Sequence, residues 1–388
     1  MISTRLITLV VVMVLAHLAF TGGRVSISLY AIRQHASTLT VGLLVSLLSI
    51  VPMVLSVHLG RWTDLIGANR PTLIGLVAVV AGTLMPALHE SIAMLCAASV
   101  VMGTGFMLIH IAINNATGHE STPENRTQAF TVLAVGFSIS SILGPVIAGF
   151  TIDHAGFKAV FLVLASFPLA ALLYMLLTAR SAPVHVAHLQ PPEGTHVMDL
   201  LRDAPLRAVF IVSGLMSMSW DMFTFMVPVQ GARIGLSASS IGTIMGTFGV
   251  ATFVVRLCTP WISRRFDQWQ TLTAALVTTV VVYALFPLFT ALPVLLALAF
   301  VLGLGLGSAQ PMVLSLIHHT APTGRVGEAI GVRTSFMNLS QVFMPILFGS
   351  LGAAFGMVPA FWTLALVLLG GSFYAGKRRV EIKTLHNK

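Results

Sequence analysis

Charge is what this 388-residue chain has least of. Asp, Glu, Lys and Arg together make up 9% of it, against roughly 25% in an ordinary soluble domain, while hydrophobic residues make up 56%. That balance excludes a soluble globular protein, because most of the surface must then face lipid. Cysteine is nearly absent: Cys96 and Cys258 stand alone in apolar stretches. Neither a disulfide framework nor a thiolate metal site follows from two such residues, and both read as packing side chains. No Gly-x-x-x-x-Gly-Lys-Ser/Thr loop occurs, which argues against ATP-driven pumping and against enzymatic chemistry, and no cofactor is implied. Short termini give no sign of the extra soluble domain or long tail that a membrane sensor or assembly partner would need. The apolar stretch from Met1 to Tyr30 lacks a small-residue cleavage site and is expected to be a retained helix.

What is present in quantity is apolar sequence, and it is repeated. A hydrocarbon core of ~30 Å needs about 20 apolar residues per helix. Twelve such stretches are expected, at about 6–31, 40–60, 70–88, 92–115, 128–152, 157–178, 207–231, 239–262, 270–290, 293–318, 328–352 and 357–375. A shift of 200 residues places Arg33 on Arg233, Gly42 on Gly242, Gly103 and Gly105 on Gly303 and Gly305, Pro145 on Pro345, Gly149 on Gly349 and Phe161 on Phe361. One long repeat in so apolar a chain implies two pseudo-symmetric bundles. The expected fold is therefore an all-α integral membrane protein of 12 transmembrane helices, with one six-helix bundle at 1–178 and another at 207–388. Residues 179–206, rich in Pro and His, read as the linker between them, briefly helical from Met198 to Arg207. His185, His188 and His196 lie in that linker without a framework to fix metal geometry.

The basic residues set the expected orientation. With the N-terminus inside, sixteen of the 21 Lys and Arg residues, among them Arg61, Arg70, Arg264, Arg325 and Arg333, fall on the inner side. The outer side then receives Arg33, Lys158 and Arg233. Both termini are thus expected in the cytoplasm and the protein in the inner (plasma) membrane. The net charge of +9 is explained by that placement, so no nucleic-acid partner is implied.

Two motifs carry a resemblance. Between helices 2 and 3 the chain reads Gly60-Arg61-Trp62-Thr63-Asp64-Leu65-Ile66-Gly67-Ala68-Asn69-Arg70. Gly60, Asp64, Gly67 and Arg70 match the signature loop of the major facilitator superfamily, while Leu65 and Ala68 replace its usual basic residues. Helix 5 carries Gly144-Pro145 and Gly149, which resemble the Gly-Pro motif of the antiporter branch of that family, with Ser140 and Ala148 where glycines are usual. The resemblance implies the twelve-helix fold, a conformational latch in which Asp64 braces the start of helix 11, and small-residue contacts around Gly144 and Pro145. Proton-linked members often carry a buried arginine four residues before a Gly-x-Gly in helix 4. Here Ser99 precedes Gly103-Thr104-Gly105, which weakens an automatic reading as a drug/proton exchanger.

Polar side chains at bilayer depth are the remaining clue, since each needs a partner or a watery cavity. His17, Thr21, Arg24 and Ser28 recur on one face of helix 1, and Ser217, Asp221 and Thr224 on helix 7 follow the same register shifted by 200. His110 corresponds to Gln310, and Ser138 and Ser141 to Asn338 and Gln341. The expected substrate- and proton-binding residues are His17, Arg24, His110, Trp220, Asp221, Gln310, Asn338 and Gln341, with Arg24 and Asp221 as a possible charge pair. Arg256, on helix 8, reads equally well as functional or as snorkelling to the headgroups. Met218, Met222 and Met226 stand four residues apart and would suit Cu(I), although a flexible apolar lining explains them better. The expected function is secondary active transport of a small amphiphilic or anionic organic solute, coupled to protons and with export favoured, by a monomer in the lipid bilayer. The alternatives are a copper or metal-chelate importer and a transport-inactive sensor.

Overall fold

The computed structural model describes residues 4–120, 126–178, 197–322 and 325–386, and the three linker histidines lie outside them. Twelve helices are present: α1 (Thr4–Arg33), α2 (Thr38–Ile66), α3 (Asn69–Leu88), α4 (Ile92–Glu120), α5 (Arg126–Thr178), α6 (Val197–Arg202), α7 (Ala204–Arg233), α8 (Ala238–Arg265), α9 (Gln268–Leu285), α10 (Leu292–Thr320), α11 (Val326–Phe355) and α12 (Met357–His386). All except the six-residue α6 are long and apolar enough to cross a membrane.

The 53-residue α5 would be about 80 Å long if straight, more than twice the ~30 Å hydrocarbon core. It breaks at Gly156 (φ 80°, ψ 177°), a conformation that favours glycine, so this element supplies two crossings. Twelve crossings result, as expected. Side chains at helix starts explain several boundaries. The Ser37 hydroxyl accepts the Thr40 amide at 3.1 Å and caps α2. Asp203 accepts the Leu206 amide at 2.8 Å, which ends the short linker helix at Arg202 and starts α7 afresh. Asp267 and Gln270 form a reciprocal capping box that opens α9.

The chain divides into two compact units. The first holds α1 to α5 together with Val227–Gly246, the tip of the α7–α8 hairpin, and the second holds the rest of α7 and α8 with α9 to α12. In the first, α1 packs along α5 and α4, and α3 along α4 and α5; in the second, α9 packs against α10 and α12. The repeat is visible as packing within each unit. A Cβ on Gly103 would collide with the Leu48 carbonyl, and a Cβ on Gly303 with the Phe248 carbonyl. The same glycine therefore permits the same close helix crossing twice, 200 residues apart. Large apolar side chains such as Leu162, Leu173, Leu366 and Phe373 stand exposed along the helices, as a lipid-facing surface requires.

The latch residues are only partly described. Gly60 lies within α2, Gly67 (φ 76°) ends it and Arg70 is exposed in the first turn of α3, whereas the Asp64 side chain lies outside the described set. The start of α11 carries its own acidic residue, Glu328, which takes Arg325 Nε at 2.7 Å and favours the positive helix end. That bond holds the Arg325 guanidinium above its usual range. Gly144 sits where a Cβ would strike Thr21 and Leu18, so it serves the α1–α5 contact, while the carbonyl of Pro145 faces Gly242.

Candidate binding site

Polar and aromatic side chains concentrate in two places, one in each unit. In the first unit, α1, α4 and α5 bring together His17, Phe20, Phe106, His110 and Phe137. The His17 ring lies 4.7 Å from that of Phe137 and 5.3 Å from that of Phe106, and the His110 ring lies 5.5 Å from Phe137. His17 Nδ1 is 2.6 Å from Ser140 Oγ. Ser140 Oγ also stands 2.9 Å from the Gly136 carbonyl and 3.1 Å from the Phe137 carbonyl, so this hydroxyl, at a position where the family motif has glycine, ties the His17 ring to the α5 backbone. Thr21 and Ser138 bond backbone carbonyls at Ser140 and Ala134, a structural role. Arg24 is half-buried on α1.

In the second unit α7, α10 and α11 enclose a cavity of about 120 Å³. Its walls include Trp220, Asp221, Gln310 and Gln341, four of the residues that the sequence placed at the site, and also Ser213, Ser217, Arg333 and Met337. Asp221 is 4% exposed and accepts a hydrogen bond from Ser340 Oγ at 3.1 Å. The Trp220 indole meets the Phe248 ring edge-on at 4.8 Å. Arg256 Nη2 donates to Gln310 Oε1 at 3.0 Å, so this arginine turns toward a cavity residue inside its span. Asn338 is half-buried and outside the lining. Met218, Met222 and Met226 are packed at 7%, 0% and 0% exposure, which suits apolar packing of α7. A larger hollow of about 360 Å³ between α8, α9 and α10 carries no charged side chain and is a poorer candidate for polar recognition.

Arg333 corrects the sequence analysis, which counted it among the inner loop arginines. It lies within the membrane-spanning part of α11, lines the cavity and donates Nε to Ser213 Oγ at 2.8 Å. The signal was present, because the apolar stretch drawn at 328–352 already contained it.

Comparison with known proteins agrees with this architecture. The sequence profile described as Major Facilitator Superfamily matches residues 9–293 and again 209–385, the second match starting 200 residues after the first. A putative sugar efflux transporter of Deinococcus radiodurans is 25% identical, covering 90% of this chain and 92% of that protein. The multidrug resistance protein MdtG of Klebsiella pneumoniae is 24% identical over 64% of this chain, which spans 61% of the length of that relative. Among solved structures, a POT family transporter bound to a thioalcohol-conjugated peptide superposes with a TM-score of 0.82 at 14% identity, covering 97% of this chain and 96% of that one. The human organic anion transporter MFSD10 gives 0.65 at 17%, covering 95% and 98%. With the profile matched across nearly the whole length, this chain belongs to the Major Facilitator Superfamily, a family of transporters and not of enzymes.

Proposed function

We propose that this protein is a secondary active transporter that exports a small amphiphilic or anionic organic solute in exchange for protons, its two halves alternating access to the site. The observation that carries the reading is the cavity of the second unit, where a buried carboxylate, Asp221, shares walls with Arg333, Gln310, Gln341 and the Trp220 indole. A carboxylate in a bilayer-depth cavity has two stable forms, protonated or ion-paired, and switching between them is what coupling requires. Arg24, on the repeat-related helix, is the proposed partner: protonation of Asp221 frees the guanidinium for a substrate anion, and substrate departure restores the pair. His17, bonded to Ser140, is the proposed second proton carrier. The sugar efflux and multidrug resistance names of the relatives support export of a small organic solute.

The test is transport by the purified chain in proteoliposomes under an imposed pH gradient, with radiolabelled aromatic carboxylates, hexoses and lipophilic cations as candidate cargo. One class should move against its own gradient, and Asp221→Asn should lose the dependence on pH. Gradient-driven flux of no class, or a pH response untouched by Asp221→Asn, would sink the coupling scheme.

A further inference from the structure

We infer that Arg333 and Ser213 form an anion-binding subsite that takes the carboxylate or phosphate group of the cargo, a step that rests on the transport reading above. A guanidinium within a membrane span needs compensation, and among the described residues Ser213 Oγ is the acceptor that Arg333 has. One of its five N–H donors is used by that bond. The others belong to a planar fork that matches two oxygens of a carboxylate or phosphate better than any neutral group. The cavity they border, about 120 Å³, is well below the ~300–1,000 Å³ of a pocket enclosing a drug-sized molecule, so it suits a head group. Asp221 lies eight residues beyond Ser213 on α7 and Ser340 seven beyond Arg333 on α11, so the backbone positions of the two hydrogen-bonded pairs stand about 10–12 Å apart along the helices. That separation lets Arg333 hold an anion while Asp221 exchanges its proton.

The experiment is thermal denaturation of the purified full-length chain with benzoate, inorganic phosphate and the neutral isostere benzamide. Benzoate or phosphate should raise the melting temperature where benzamide does not. Arg333→Gln should abolish the response, and Arg333→Lys should need about tenfold more anion, as expected for a lost charged hydrogen bond. If Arg333→Gln does not fold, Ser213→Ala, which keeps the charge, should weaken the response several-fold. Equal effects of benzoate and benzamide, or a full response in these variants, overturn the subsite. The readout involves no transport step, so a failed flux assay with this response intact bears on the transport reading alone.

A different observation carries a second inference. The spacing of Gly60, Asp64 and Gly67 recurs at Gly149, Asp153 and Gly156, with the closing glycines at φ 76°, ψ 171° and φ 80°, ψ 177°. Three crossings separate the two copies, so they stand at opposite faces of the membrane. Asp153 Oδ1 accepts the Ala238 amide at 3.0 Å and Oδ2 the Ser239 amide at 2.7 Å, closing the N-terminus of α8. Around it, Arg233 donates to Thr38, and a Cβ on Gly149 or Gly242 would collide with the facing carbonyl of Ala238 or Pro145. Within the first unit the α7–α8 tip is thus held to α2 and α5 by a carboxylate, an arginine and two backbone-close contacts. The geometry points to Asp153 as a clamp whose release frees this tip in the transport cycle. Spin labels at Phe157 and Leu236 should show, in Asp153→Asn, a separated population raised about tenfold relative to the parent. Identical distance distributions in Asp153→Asn and the parent overturn the clamp. Asp153→Glu, which keeps the charge, should restore the parent distribution, and its failure to do so would also count against it.

Discussion

The cost of an ionised side chain in hydrocarbon, at least ~2.5 kcal/mol, makes each charge in a span informative about the rest of the site. Arg24, Asp221, Arg256 and Arg333 are four such residues, and the sequence singled out the first three. Arg333 was lost for a physical reason: counting basic residues by loop treats any arginine near a helix end as solvated, whereas α11 starts at Val326 and carries Arg333 past its first turn. For Arg256, a long side chain can snorkel or turn inward with equal ease, and its bond to Gln310 shows it turned inward. The proposed Arg24–Asp221 pair predicts a thermodynamic cycle. Removing one member of a buried pair typically costs about 3–5 kcal/mol, while removing both can be nearly neutral. Arg24→Ala and Asp221→Ala should each lower stability and abolish transport, and the double variant should regain stability without transport. Strictly additive losses in thermal denaturation would show that the two side chains do not interact.

At the scale of elements, the helices were legible because a bilayer imposes a length, and apolar runs of that length can be counted. Boundaries moved by a few residues where caps act: Ser37, Asp203 and Asp267 each fix a start that hydropathy alone places loosely. The sequence placed a gap between residues 152 and 157, and the structure fills it with helix up to a single reversed residue, Gly156. The second Gly-x-x-x-Asp-x-x-Gly stands in the sequence, but spacing does not carry the tertiary contact between Asp153 and the first amides of α8. That the tip of the α7–α8 hairpin groups with α1 to α5 was not legible. Periodicity reports which face a helix buries but not against what, so the placement of Val227–Gly246 with α1 to α5 comes from the structure.

For the whole molecule the 200-residue offset is the organising fact, and the two family matches starting at 9 and 209 restate it. Gly103 over Leu48 and Gly303 over Phe248 show that the repeat preserves packing more strictly than chemistry. At the sites the halves have diverged: His17, His110 and aromatic rings in one, Asp221, Gln310 and two arginines in the other. The property that repeat-related positions are proposed to keep, where their side chains have diverged, is depth in the membrane. Hence, with Cys96→Ala and Cys258→Ser as the background, His110→Cys and Gln310→Cys should both react with a small polar thiol reagent, and the transported solute should protect both. Their labelling rates should agree within about tenfold if, as the repeat leads us to propose, the two positions share one depth on helices that alternate together. Brisk labelling at one with complete inertness at the other would break the inference from the offset, because the two helices would then not expose corresponding faces during the cycle.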